Sequence, residues 1–312
     1  MATNRGKVIA LAVALDLLMG EPPERWHPVV GMGRLVEKLE RSSPREGRAR
    51  QLLYGGAMEA ASLAAALLPA WLLERLLPSG SALETVALAL ALKPTFALRA
   101  LFQFTDRVTR TLERGDLPEA RRAVGAIVSR DVGRLDEAGV AAAAVESLAE
   151  NASDSVVAPL LYYTLFGLPG AYLYRMANTL DAMVGYRGRY EYLGKVAARV
   201  DDALNLIPSR LSAMATAASC WVAGGSPRWA WRGALQDSSQ TASPNAGWPM
   251  AAVAGALDLR LEKIDHYILN AGGRLPAASD LSTARRVVGA SLAAAMLGMI
   301  LIAGGLRRGT RS

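Results

Sequence analysis

The chain has 312 residues, with 35 Lys and Arg against 28 Asp and Glu, a formal net charge of +7. Hydrophobic residues make up 52%, charged residues only 20%, and mean hydropathy is +0.19. That balance excludes a disordered chain, which needs low hydrophobicity and high charge, and the single cysteine, Cys220, excludes a disulfide scaffold. The classes left are a very apolar helical protein and a membrane protein. The basic surplus is nearly all arginine, but it neither clusters nor interleaves with base-stacking aromatics, so no nucleic-acid partner is expected.

The first apolar run, Val8–Met19, follows Arg5 and Lys7 like a signal peptide. Asp16 interrupts it, and Gly20-Glu21-Pro22-Pro23 follows without a small-x-small cleavage site, so it reads as a retained helix. His27, before Pro28, reads first as a capping or packed histidine. Arg41–Arg50 is polar and basic, with Pro44 and Gly47, and reads as a loop. Ala60–Leu73 is free of formal charge, and Ala82–Phe102 is apolar apart from Glu84, Lys93 and Arg99. Leu117–Ala126 predicts a helix with Asp116 as N-cap and Pro118 in its first turn. Leu135–Asp154 predicts a second helix, capped by Asp136 or earlier. Ser155–Tyr174 is uncharged but holds Pro159, Gly167, Pro169 and Gly170, which predicts a kinked or re-entrant segment. Tyr190–Leu206 predicts a helix stopped by Pro208. Leu211–Pro227 is again uncharged, and the Ser-rich stretch Gly233–Gly247 reads as a loop. Val287–Leu306 has 20 residues without charge, about the length that crosses a bilayer core. Arginines flank it on both sides, so the positive-inside rule does not orient it.

Strand-like alternation is missing. The expected architecture is therefore all-α: a polytopic helical membrane protein with about 4–6 membrane-embedded helices. We expect a single integral membrane domain over 1–312, with polar cytoplasmic segments near 103–154, 175–210 and 233–286 interleaved.

Chemistry-bearing residues concentrate in those polar segments. On a helix, Glu146, Glu150 and Asp154 share one face at i, i+4 and i+8, with Asn151 beside Asp154. Three like charges on one face repel, and a hard cation such as Mg²⁺ would relieve the repulsion; the plain alternative is an acidic solvated face. Arg175, Asn178 and Asp181 follow at spacings of three. Next come Tyr186, Arg187 and Arg189, arginines between glycines and tyrosines that suit either a phosphate or lipid headgroups. Arg199, Asp201, Asp202, Asn205 and Arg210 form a third cluster, readable as a site or as a salt-bridged helix end. Asp16, Glu21, His27 and Gly31 surround the Pro-rich turn. Ser243-Pro244-Asn245-Ala246-Gly247-Trp248 has turn chemistry that can present N–H groups to an anion. No phosphate loop, dinucleotide fingerprint or zinc spacing is present. ATP, if used, would be held by arginines, carboxylates and Mg²⁺.

These residues carry a resemblance. Arg130-Asp131, Leu135-Asp136 and Ala144–Asn151, continuing to Asp154 and Ala158-Pro159, resemble the CobD/CbiB family of cobalamin biosynthesis. Asn178-Thr179-Leu180-Asp181-Ala182-Met183-Val184-Gly185-Tyr186 is similar to its most distinctive stretch. Asp201-Asp202-x-x-Asn205-x-x-Pro208-x-Arg210, Ser243–Trp248 and the opening Asp16…Glu21…His27-Pro28 also match.

The resemblance implies a multi-pass inner-membrane adenosylcobinamide-phosphate synthase with its active site facing the cytoplasm. Such enzymes use ATP and Mg²⁺ to join adenosylcobyric acid to aminopropanol phosphate; the corrinoid is substrate rather than cofactor, and other cobalamin-pathway enzymes are possible partners beside the lipid bilayer. Under it, Glu146, Glu150 and Asp154 are catalytic and hold the metal. Asp181 or Asp202 is a further ligand; Asp181 is also counted as catalytic and Asp202 as a substrate- or phosphate-binding residue. Arg130, Arg187 and Arg210 contact phosphates. Asp131, Asn151, Asn178, Tyr186, Asn205, Ser243, Asn245 and His27 are the remaining binding candidates. The chain departs from the pattern at Thr241-Ala242, where a histidine is usual, at Met250 for glutamate and at Val132 for threonine. Two other readings are a non-catalytic corrinoid-binding membrane scaffold, which the departures favour, and a transporter, for which charges buried in spanning helices, such as Asp16 and Glu59, would be the mark.

Overall fold

The computed structural model describes residues 4–128, 130–186 and 188–305. Helices follow in chain order: α1 (Arg5–Met19), α2 (Pro28–Arg41), α3 (Arg48–Leu76), α4 (Ala82–Leu92), α5 (Leu98–Glu113), α6 (Leu117–Gly125), α7 (Glu137–Ala152), α8 (Ala158–Phe166), α9 (Leu168–Val184), α10 (Lys195–Ser219), α11 (Pro227–Asp237), α12 (Gly247–Leu257) and α13 (Ala278–Gly305). A short antiparallel hairpin, β1 (Leu261–Lys263) and β2 (Tyr267–Leu269), lies between α12 and α13 and pairs Leu261 with Leu269 and Lys263 with Tyr267. Its turn carries Asp265 at φ 61°, a left-handed position that aspartate tolerates. Apart from this hairpin, the fold of the described residues is all-α.

The chain packs as two compact units that interleave in sequence. Of the described residues, the first takes those within 4–97, 158–205 and 298–305, the second those within 98–157 and 206–297. In the first unit α2, α3, α9 and the start of α10 share a core of Met32, Val36, Met58, Ala66, Met176, Leu180, Val184 and Ala197. The first apolar run belongs to this unit as α1, with Val8, Ile9 and Ala12 fully buried. In the second unit α7 is buried almost throughout, from Val140 to Ala149. Its alanines offer little side-chain area, so stability there depends on close packing rather than on large apolar groups.

Three helical stretches are long and apolar enough to cross a membrane: Arg48–Leu76, Ala82–Glu113 and Ala278–Gly304. The middle one is interrupted by a 3-10 turn at Lys93–Thr95 and an extended Phe96. The long stretches match the apolar runs of the sequence; the other runs are divided among shorter helices.

Local signals hold where a cap is at hand. Asp116 accepts from the Glu119 N–H and Asp136 from the Gly139 N–H, which starts α6 and α7 as expected. Ser155–Tyr174 is two helices rather than one kinked one, broken at Gly167 with φ +73°. Two expectations fail. Gly233–Gly247 is not one loop: α11 runs through Asp237, because Ser226 caps it, Pro227 starts it, and Ala230 and Ala234 are buried. The helix is pressed onto α12, where a Cβ on Gly233 would stand 2.6 Å from the Ala251 carbonyl oxygen and one on Gly255 2.3 Å from that of Trp229. Nor does Pro208 stop α10, which continues to Ser219. Proline removes the N–H that would bond the carbonyl four residues earlier. That carbonyl belongs to Leu204, and the Tyr162 hydroxyl donates to it at 2.9 Å, supplying the missing donor.

Tyr162→Phe therefore leaves the Leu204 carbonyl unpaired. We expect a loss of about 1–3 kcal/mol, read as a lowered melting temperature in detergent; an unchanged melt would show that the bond does not hold α10 together.

Candidate functional site

In the first unit, the acidic and amide residues of α9 and α10 converge. Gly194, just before α10, permits this: a Cβ there would lie 1.7 Å from the Val184 carbonyl oxygen, so only glycine lets α10 start against the end of α9. Asn178 on α9 donates its amide to one Asp201 oxygen at 3.3 Å, and Asn205 on α10 donates to the other at 2.9 Å. Tyr174 donates to the Asn205 side-chain oxygen at 2.9 Å, fixing which way that amide points. Arg175 reaches the Asn178 side-chain oxygen at 3.4 Å. Burial, then the neighbouring Asp201 and Asp202, pushes the Asp181 carboxyl up to about 7. Burial also pushes Asp201 up, against the lowering by Asn178 and Asn205, with Asp202 raising it further. Glu59 on α3 lies within electrostatic reach of Asp181 and Asp201, and both its oxygens are buried without a hydrogen-bond partner among the described residues. Carboxylates and amides thus gather where α9 meets α10.

Also in the first unit, Lys93 reaches Asp16 at 3.3 Å and Glu21 at 3.0 Å, and the His27 Nε2 meets Glu21 at 2.8 Å. The His27 Nδ1 accepts from the Val29 N–H, so His27 caps α2. Both of its ring nitrogens are thereby engaged. Tyr186 is half exposed at the end of α9, and Arg187 lies outside the described residues.

In the second unit, Glu146 on α7 is nearly fully buried and forms an ion pair with Arg130. Burial pushes its carboxyl up, opposed by Arg130 and more weakly by Lys263 and the Tyr267 hydroxyl of the hairpin. Asp131 accepts from the Gly133 N–H at 2.9 Å and shapes its own turn. Asn151 donates to the Ser147 carbonyl at 2.9 Å and accepts from Ser155. Helix α7 passes into a π-helical turn at Ser153–Val157, which holds Asp154, while Glu146 and Glu150 lie on the α-helix before it. Among the described residues no three His, Cys, Asp or Glu groups are placed to hold a metal ion together. The three-carboxylate face expected on one continuous helix is therefore not assembled as a ready-made metal centre.

The Arg210 guanidinium closes a second arrangement in this unit. It donates to the Asn245 side-chain oxygen at 2.8 Å, the Ser209 hydroxyl at 3.0 Å and the Leu206 carbonyl at 3.0 Å, and it stacks over Trp248 at 4.8 Å. Ser243 accepts from the Asn245 N–H at 3.2 Å. Residues 35 apart in sequence thus form one clamp, with Asn245 4% exposed. Burial lowers the proton affinity of Arg210. Much of its hydrogen-bonding capacity goes to holding the turn, which shapes a site more than it reaches out of one.

Sequence reasoning left four contributors out of the site. Along the chain Asp201 stands out only within a cluster, and Glu59 only as a charge in an apolar helix. Tyr267 and Lys263 belong to the hairpin; the alternation of Leu261-Glu262-Lys263 and Tyr267-Ile268-Leu269 about Asp265-His266 was the available signal.

The family described as CobD/Cbib protein matches residues 9–299. The chain is 42% identical over 263 residues to a protein named cobalamin biosynthesis protein CobD from Dehalococcoides mccartyi, covering 84% of this chain and 85% of that one. It is 44% identical over 264 residues to a protein of the same name from Chromobacterium violaceum, covering 83% and 81%. A probable cobalamin biosynthesis protein CobD from Methanocaldococcus jannaschii is 39% identical over 272 residues, covering 85% and 88%. No solved structure matches. With the match running across nearly the whole chain and the relatives this similar, the protein belongs to the CobD/Cbib family.

Proposed function

We propose that this chain acts in cobalamin biosynthesis as an ATP- and Mg²⁺-dependent ligase, joining the propionate carboxyl of adenosylcobyric acid to the amine of aminopropanol phosphate. The names of its relatives carry the pathway. The observation that carries the chemistry is the carboxylate cluster of Asp181, Asp201 and Asp202, in which burial first, and neighbouring negative charge after it, raises the proton affinity of Asp181 and Asp201.

A carboxylate and an amine do not condense unaided in water. Transfer of the terminal phosphoryl group of ATP to the propionate oxygen gives an acyl phosphate and ADP. The amine then attacks the acyl carbon, the C–O bond to phosphate breaks, and the amine loses a proton. Phosphoryl transfer depends chiefly on positioning and charge neutralisation.

The donor set suits Mg²⁺, which is commonly held by one or two carboxylates, waters and substrate phosphates rather than by a full protein cage. Asp181 and Asp202 would hold it, and when bound it neutralises charge on the phosphate oxygens. Asp201 is kept in place by Asn178 and Asn205, so its role is to set the field around Asp181. In the second unit, Glu150 and Asp154 remain carboxylates for substrate or metal. Glu146 and Arg130 act as a pair, and Arg210 keeps the Ser243–Trp248 turn in shape. The corrinoid-binding scaffold is the second reading. It is favoured by Met250, which is 2% exposed and packs with its sulfur 4.0 Å from the Tyr267 hydroxyl, where the family pattern expects glutamate.

Purified full-length protein in detergent, given both substrates, ATP and Mg²⁺, is expected to yield the amide, followed by mass spectrometry; corrinoid binding without product would favour the scaffold. Glu150→Gln is expected to abolish turnover while leaving the melting temperature unchanged, and normal turnover in that variant would remove Glu150 from the machinery.

A protonated carboxyl cannot ligate a cation. With Asp181 raised to about 7, Mg²⁺ affinity is expected to rise as pH increases through 7. Asp181→Asn should flatten that profile. In metal-free protein the sign is opposite for stability: Asp181 contributes least to folding above about 7, where it is charged and uncompensated. A wild-type Mg²⁺ affinity independent of pH between 6 and 8 would count against this ligand assignment.

A further inference from the structure

The first unit contains a polar cavity, lined by residues other than those of the acidic cluster. It has a volume of about 480 Å³ and is lined by Glu40, Arg41, Arg45, Gln51, Arg189 and Tyr190, among others. It sits where the end of α2, the loop before α3 and the segment before α10 meet. That volume falls in the range of small-molecule sites.

Its walls carry three guanidinium groups and one carboxylate. Glu40 accepts from Arg189 at 2.9 Å and from the Tyr190 hydroxyl at 3.1 Å, so one acid holds both side chains in place. Arg189 also lies over the Tyr190 ring at 5.0 Å, which restricts its orientation further. Arg41 approaches Glu37 only at 3.9 Å, in an exposed pair of a kind worth little. Among the described residues Arg45 makes no ion pair. Gln51 donates to the Arg45 carbonyl at 3.0 Å and ties the loop to the first turn of α3. The N-cap of α3 is Gly47, with no side chain to cap the helix, so this 29-residue helix adds partial positive charge nearby.

We propose that this cavity is a phosphate-recognition site, in which Arg41 and Arg45 grip a phosphate ester or polyphosphate while the Glu40-held Arg189 and Tyr190 form the opposite wall. Planar guanidinium groups match phosphate oxygens in pairs. The same chemistry is offered by a soluble nucleoside triphosphate and by the headgroup of an anionic phospholipid. The site stands on its own geometry and does not require the ligase reading.

The test uses the full chain with Arg41→Ala/Arg45→Ala, and with Arg41→Lys/Arg45→Lys as the charge-keeping control. In one arm, protein in neutral detergent is titrated with a fluorescent ATP analogue without Mg²⁺ and competed with inorganic pyrophosphate. In the other, binding of phosphatidylglycerol is compared with phosphatidylcholine in nanodiscs. The alanine pair is expected to weaken one of these anions at least tenfold, and the lysine pair to weaken it less. Loss in the first arm identifies a soluble phosphate, loss in the second a lipid headgroup. If the alanine pair fails to fold, Ser43→Glu at the cavity wall serves instead and is expected to weaken binding in the same way. Unchanged binding of both anions in a folded variant would overturn the proposal.

Discussion

A charge buried in an apolar helical protein has to meet a partner, because the low-dielectric interior penalises an isolated ion far more than it rewards a paired one. Much of this structure follows from that constraint. Asp16, fully buried on α1, is matched by Lys93 at the end of α4, and Lys93 in turn holds Glu21 beside His27. The ion pair therefore joins the first helix and the Pro-rich turn to a helix far along the chain. In the second unit Arg130 does the same for Glu146 on α7. Asp280 at the start of α13 is answered by Arg274 at 2.6 Å. Charges that looked like candidates for chemistry or transport when read along the chain thus also fix where helices begin and what they lie against.

Close helix packing is the second element, and it depends on small residues. Gly233 and Gly255 bring α11 and α12 to backbone contact, and Gly194 brings the start of α10 to the end of α9. The first contact builds a surface of alanines, where dispersion depends on short distances. The second places Asp201 near Asp181. A methyl group at Gly194 would push the two helices apart and with them the carboxylates, so packing and chemistry are linked through one position.

The acidic cluster differs from the ion pairs. Asp201 is satisfied by amides rather than by a cation, and amides stabilise a carboxylate without cancelling its charge. Asp181 and Asp202 add to that charge, and Glu59 brings a carboxylate with no hydrogen-bond donor among the described residues. Such an arrangement raises the proton affinity of its carboxylates, as at Asp181. The Arg210 clamp works the other way. Its donors are turned inward onto Asn245 and Ser209, so the Ser-Pro-Asn-Ala-Gly turn takes its shape from an arginine on a distant helix.

Composition and periodicity alone determine that this chain is helical and membrane-like, because long uncharged runs and missing alternation are properties of neighbours in sequence. Caps are equally local: Asp116 and Asp136 start α6 and α7 through bonds three residues away. The motif residues were legible too, since they recur in ordered groups that resemble one family. Three features were decided only in three dimensions. Pro208 does not end α10, because Tyr162, 42 residues away in sequence, donates to the carbonyl it leaves open. Gly233–Gly247 is not a single loop, because buried alanines and a glycine contact with α12 stabilise helix in its first part. Glu146, Glu150 and Asp154 are not carried by one uninterrupted α-helix, because a π-helical turn begins at Ser153. Carboxylates gather instead where α9 meets α10, for helix packing sets distances between residues that no spacing along the chain can specify.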